Sequence, residues 1–150
     1  MPLFPENLAG VTDADRLLQL TLEHFGADTG TIHVLESDGM LHLRAAGAGL
    51  PPEVRQVIQV IPVGKGIAGL AVERKEPVNL CNLQADSSGA ARPGARATGV
   101  KGSICVPMMV NGAAIGALGI ATYRERDFTQ QEIALLLEAG RRIGKQLWNS

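Results

Sequence analysis

Two dipeptides constrain this chain more than anything else in it: Asp38-Gly39 and Asn111-Gly112. Each stands between two strand-like runs. Residues 31–36 and 41–46 flank the first, and residues 103–110 and 113–122 flank the second. Asp-Gly and Asn-Gly supply the positive-φ positions of tight turns, so both read as β-hairpins. Hairpins make antiparallel neighbours. A chain with two of them builds a mostly antiparallel sheet, which argues against a doubly wound parallel fold.

Helical signals surround these hairpins. Thr12-Asp13-Ala14-Asp15 resembles a capping box, and Leu17, Leu18, Leu20, Leu22 and Phe25 follow before Gly26, so a helix is expected over about 13–25. Pro51-Pro52-Glu53 can start a short helix reaching about Ile58. A second short helix fits 67–75, because Pro77 stops it, and a strand fits 77–80. Residues 81–100 have no period and read as a long loop carrying Arg92 and Arg96. Thr129-Gln130-Gln131-Glu132 is a full capping box. It launches Ile133, Leu136, Gly140, Ile143 and Leu147 at helical spacing. The order gives a single α+β domain over residues 1–150, with its core at about 11–148.

Composition removes several function classes. A net charge of −1 lacks the basic surplus of a nucleic-acid footprint. No apolar run approaches membrane-spanning length, and the first residues lack the basic and apolar regions of a signal peptide. Cys81 and Cys105 form no C-x-x-C pair, so a reduced, cytoplasmic setting is expected. No nucleophile–base pair, carboxylate pair or metal cluster is visible. The expectation is therefore a non-enzyme without a cofactor or a metal.

"IPVGKGIAGLAV", residues 61–72, contains G-x-G-x-x-G at Gly64, Gly66 and Gly69. A dinucleotide site needs that motif after a buried parallel strand and before a long helix. Pro62 spoils such a strand, Pro77 cuts the helix short, and Asp86, 20 residues after Gly66, lies in the loop. No G-K-[ST] follows, so a P-loop is absent as well. Two readings remain. In one, Gly64 and Gly66 supply unusual turn conformations and Gly69 lets a helix sit close. In the other, the helix start also offers free N–H groups, from Gly66, Ile67, Ala68, Gly69 and Leu70, to a small anion or carboxylate.

Taken with "EPVNL" (76–80), "GVKGSICVPMMVNGAAIGALGI" (99–120) and "RDFTQQEIALLLEAGRRIG" (126–144), this stretch resembles the GAF domain family along nearly the entire chain. The resemblance implies a GAF/PAS-like central antiparallel sheet. It puts the N- and C-terminal helices on one face and a ligand pocket, roofed by short helices and the long loop, on the other. Family chemistries that depend on side chains are mostly missing. The N-K-F-D-E set of cyclic-nucleotide binders does not occur. Cys81-Asn82 and Cys105-Val106 are not the Cys-His pair of bilin binders. Free methionine-(R)-sulfoxide reductases place a cysteine where Ala68 stands, and their catalytic cysteine falls in a stretch without one here. Stand-alone nitrate receptors hold their anion with backbone N–H groups, a mechanism that asks little of side chains. The resemblance thus implies a small-ligand sensor that signals to a separate protein such as a histidine kinase. A thiol reductase and a purely structural dimerisation module are the alternatives.

Further residues enter as candidates. A two-residue turn at Asp38-Gly39 would pair His33 with Arg44 and Leu35 with His42. Ile32, Val34, Leu41 and Leu43 would then face the core. His33, Leu35, His42 and Arg44 would face the pocket, where the two histidines could share an anion. That face could equally be solvated. Arg96 and Val100 in or after the long loop would help to close over a ligand, unless the loop is simply solvated. Leu17, Ile133, Leu136, Gly140, Ile143 and Leu147 are candidates for a helix-bundle homodimer, or for packing within the chain.

Overall fold

The computed structural model describes residues 3–80 and 99–148. After a 3-10 turn at Glu6–Leu8 come α1 (Ala14–Phe25), β1 (Thr29–Leu35), β2 (Met40–Ala46) and α2 (Pro52–Val57). β3 (Val60–Pro62), α3 (Gly66–Arg74) and β4 (Val78–Leu80) follow. β5 (Gly102–Val110), β6 (Ala113–Thr122) and α4 (Gln130–Trp148) complete the order. The six strands form one sheet in the order β3-β2-β1-β6-β5-β4, with every neighbouring pair antiparallel. β3 was not expected from the sequence. It is a three-residue edge strand ending at Pro62, a place where a missing N–H costs no ladder bond.

The two hairpins turn differently. Asn111 (φ 51°) and Gly112 (φ 80°) make a two-residue turn that pairs Val110 with Ala113, as expected. At the other hairpin the Glu36 N–H donates to Met40 O (3.0 Å), and Leu35 pairs with Leu41. That loop holds Ser37, Asp38 and Gly39 (φ 79°), one residue more than a tight turn. A one-residue slip moves each side chain to the opposite face. Val34 therefore pairs with His42, and His33 with Leu43. Between Leu43 and Ala45, the partner of Ile32, Arg44 bulges out of the ladder and is exposed. The expected pairing and the expected face assignment of β2 are both corrected by this.

One face of the sheet is covered by α1 and α4. Ile32, Ile104, Val106, Met108, Leu118 and Ile120 meet Leu17, Leu18, Leu136 and Ile143 there. Leu8 is fully buried in the same cluster, and Gln146 Nε2 donates to its carbonyl (3.0 Å), so the core reaches upstream of residue 11. The cap of α4 is the expected box: Glu132 N–H donates to Thr129 Oγ1 (3.1 Å) and Thr129 N–H to Glu132 Oε1 (3.0 Å). α1 is capped by Asp13 rather than Thr12, through the Asp15 N–H (3.3 Å).

The dimer candidates fall on this buried face. Leu17, Leu136, Ile143 and Leu147 are buried, and Ile133 is half-buried. A Cβ on Gly140 would lie 3.5 Å from Pro107 O and from Val106 Cγ2, so this glycine brings α4 onto β5 of its own chain. These residues pack within the protomer.

Candidate functional site

Side chains alternate in size on β6: Ala117, Gly119 and Ala121 face one way, Leu118 and Ile120 the other. The large ones fill the helix-side core. The small ones, with Ser103 and Cys105 from β5, leave room beneath α2 and α3. The result is a cavity of about 140 Å³. Gly119 is its floor: a Cβ there would lie 3.5 Å from Thr31 Oγ1 and 3.6 Å from Cys105 Sγ. Leu50, Val54, Val57, Ile58 and Ile61 make an apolar wall. β1 contributes a polar row of Thr29, Thr31 and His33, and Val100 closes one side.

The glycine motif builds the remaining edge. Gly64 (φ 90°) and Gly66 (φ 67°) adopt conformations that L side chains avoid. Gly69 serves a different purpose. Its Cβ would stand 2.5 Å from Pro62 O, and its carbonyl accepts the Gly64 N–H (2.8 Å). The motif is thus a turn folded back on the helix that it starts. Lys65, the N-cap of α3, provides no side-chain cap. Helix geometry leaves the N–H groups of Gly66, Ile67 and Ala68 without helical acceptors, and these three residues line the cavity. Gly69 and Leu70, expected to share that role, already belong to the helical ladder and are not among the lining residues.

His33 is 1% exposed and places Nε2 2.8 Å from Ile58 O. A carbonyl only accepts, so Nε2 carries the hydrogen and Nδ1 is a bare acceptor. Among the described residues Nδ1 has no partner and is buried, as is Thr29 Oγ1. Burial lowers the pKa of His33 below the usual histidine value, against the bond to Ile58 and with a smaller push from His42. The ring is neutral at pH 7. Burial pushes the Cys105 thiol up to about 12, so it is protonated.

Other candidates are not brought here. His42 lies across the sheet from His33, beside Val34, with Nε2 2.7 Å from Asp38 Oδ2 and Nδ1 3.8 Å from Glu36. The two histidines therefore share no anion. Arg44, on its bulge, does not line the cavity. Arg92, Arg96, Cys81 and most of the long loop fall outside the described residues. Among the described residues no charged side chain lines the cavity, and no cluster of histidine, cysteine and carboxylate groups could hold a metal. None of the described helices is long and apolar enough to cross a membrane.

Sequence reasoning missed the cavity floor. The signal was present: the run Ala117-Leu118-Gly119-Ile120-Ala121 alternates small and large through a central strand.

No curated protein matches this chain. Solved structures do. The GAF domain of an Acinetobacter phosphoenolpyruvate-protein phosphotransferase is similar at a TM-score of 0.76 and 21% identity, covering 96% of this chain and 87% of that one. Free methionine-R-sulfoxide reductase from Neisseria meningitidis, solved with its substrate, is similar at 0.74 and 19%, over 95% and 83%. A domain of a putative two-component sensor histidine kinase protein from Sinorhizobium meliloti is similar at 0.72 and 18%, over 99% and 93%. At these identities the likeness is one of fold. The family model described as GAF domain matches residues 12–145. With the six-stranded antiparallel sheet, the helix-covered face and the roofed cavity opposite it, that match assigns the chain to the GAF domain family.

Proposed function

We propose that this chain is a non-enzymatic, cytoplasmic GAF sensor that binds a small molecule and signals to a separate protein, such as a histidine kinase. The observation that carries this reading is the cavity under α2 and α3, into whose edge the first turn of α3 is built. Free N–H groups at a helix start favour an anion or carboxylate. Small residues on the sheet and apolar ones on the roof favour a compact ligand. Ligand binding would tighten α2 and α3 against β1 and β6, and the same strands carry α1 and α4 on their other face. A change in how those helices present themselves to a partner, or to a second copy in a homodimer, is the output.

Isothermal titration against nitrate, acetate, propionate and related small anions tests the proposal. Saturable binding that Gly119→Leu abolishes supports it; silence across the panel refutes the anion version. The rival thiol-enzyme reading draws on the fold shared with methionine sulfoxide reductase. Cys105, buried and held as a thiol, is a poor nucleophile for it. Reduction of free methionine sulfoxide that disappears when Cys81 and Cys105 are both replaced by serine would favour that rival instead.

A further inference from the structure

The outer surface of the helix layer carries a second concavity, which shares no lining residue with the ligand cavity. It is a groove of about 520 Å³ between α4 and the turn that precedes α1. Ala9 and Gly10 form one side, and Glu138, Arg141, Arg142 and Lys145 form the other. Residues three and four apart share a helix face, so these four stack along one side of α4. Gln146, which also lines the groove, donates from Nε2 to Leu8 O (3.0 Å) and ties the helix to the turn. The small residues of the turn leave the space open and add no charge of their own.

Three cations and one carboxylate leave this groove at +2, on a chain whose net charge is −1. Glu138 orders both arginines. Arg141 donates to its Oε2 through Nε (3.0 Å) and Nη2, and Arg142 donates to its Oε1 through Nε (3.1 Å). The bond from Arg141, above all, holds the Glu138 carboxyl below the usual glutamate value, so it is ionised at pH 7. A guanidinium has five N–H donors, and most of those on the two arginines stay unused in these bonds. Among the described residues Lys145 has no ion pair. Arginines already held in place lose less freedom when a ligand arrives. The cations fall at 141, 142 and 145, within about 6 Å of helix rise. An extended acidic peptide sets successive same-side carboxylates about 7 Å apart and would meet this cluster with only one of them. A phosphoryl group gathers its charge on three oxygens around one atom, and arginine forks match those oxygens in pairs. We infer that this groove binds the phosphoryl group of a small organic phosphate. Arg142, Lys145 and the free edge of Arg141 hold the phosphoryl oxygens. The organic part lies toward Ala9 and Gly10, since the groove is far larger than a phosphoryl group. Binding there gives the protein a second input, directly on α4.

The test uses the full chain. Phenyl phosphate, AMP, inorganic phosphate and sulfate are titrated calorimetrically at about 150 mM salt, where weak surface attraction is screened. The two esters should bind saturably and more tightly than either inorganic ion. Arg142→Gln and Lys145→Gln should each weaken the esters by about tenfold or more, the loss of one charge-assisted hydrogen bond. Lys145 is exposed, so its variant should fold as the wild type does, and matching melting temperatures without ligand check this. A phosphate ester gains its second charge near about pH 6, whereas Glu138, Arg141, Arg142 and Lys145 keep theirs over about pH 5.5–7.5. Affinity for phenyl phosphate should therefore rise across that range. Ester binding that both variants leave unchanged places the ligand elsewhere and overturns the inference. Ester binding no tighter than that of sulfate or inorganic phosphate marks an adventitious ion only and also overturns it. A flat pH profile for phenyl phosphate, or silence from both esters, does the same.

Discussion

The explanation of the glycine motif makes Gly69→Ala the sharpest test of the fold around the site. The added Cβ would sit 2.5 Å from Pro62 O and 3.1 Å from Gly64 N, and both are backbone atoms. No side-chain rotation can relieve this contact. Close C···O contacts start at about 3.3 Å, so turn and helix must separate by about 0.8 Å. The Gly64 N–H bond to Gly69 O, now 2.8 Å, stretches with them. Overpacking of this kind costs about 1–3 kcal/mol. A lost backbone bond adds about 1 kcal/mol. Alanine's better helix propensity returns about 1 kcal/mol. The net loss is about 1–3 kcal/mol, or a Tm lower by roughly 3–10 °C in a domain of this size. Gly140→Ala is the matched control. It makes the same change inside a helix, but its Cβ has ordinary neighbours at 3.5 Å. It should be neutral or stabilising by up to about 1 kcal/mol. Urea unfolding and thermal melts of both variants decide the matter. Equal stabilities for the two variants would refute the claim that close approach of the Pro62–Gly64 turn is why position 69 is glycine.

Four further outcomes rest on other contacts in the structure. Gly119→Ala should leave stability nearly unchanged, since its Cβ meets neighbours at 3.5 Å or more, whereas Gly119→Leu should fill the cavity floor and abolish ligand-induced thermal shifts. Thr129→Ala removes the side-chain cap of α4 and should cost about 1 kcal/mol in urea unfolding. Glu132 has a pKa below the usual glutamate value, chiefly through the Thr129 N–H. Its stabilisation is therefore present above the ordinary glutamate range and lost as pH falls through the lowered folded value, and Glu132→Gln should flatten that part of the acid titration. In a Cys81→Ser background, the thiol of Cys105 should react with a disulfide reagent at pH 8 far more slowly in the folded protein than in urea, because burial keeps it protonated and out of reach.

The sequence by itself determined what is local. Asn111-Gly112 sets its hairpin and Thr129-Glu132 caps its helix, because each signal acts over a few neighbouring residues. Prolines 62 and 77 bound α3, and the order of elements follows from such marks. Even the cavity floor was written in the small-large alternation of β6. Tertiary structure decided what depends on distant partners. A three-residue loop where two residues were expected, then the bulge at Arg44, put Leu41 on the ligand side and His42 on the other. Turn residues alone do not specify which register wins; burial of one whole face does. The apolar stripe of α4 packs into the core because β5 lies against it. The neutral state of His33 comes from burial by elements distant in sequence, and the carbonyl of Ile58, 25 residues away, fixes which ring nitrogen carries the hydrogen. Gly69 looked like a phosphate glycine in one dimension. In three it is the place where a turn closes on its own helix, and that closure sets the first turn of α3 at the edge of the cavity.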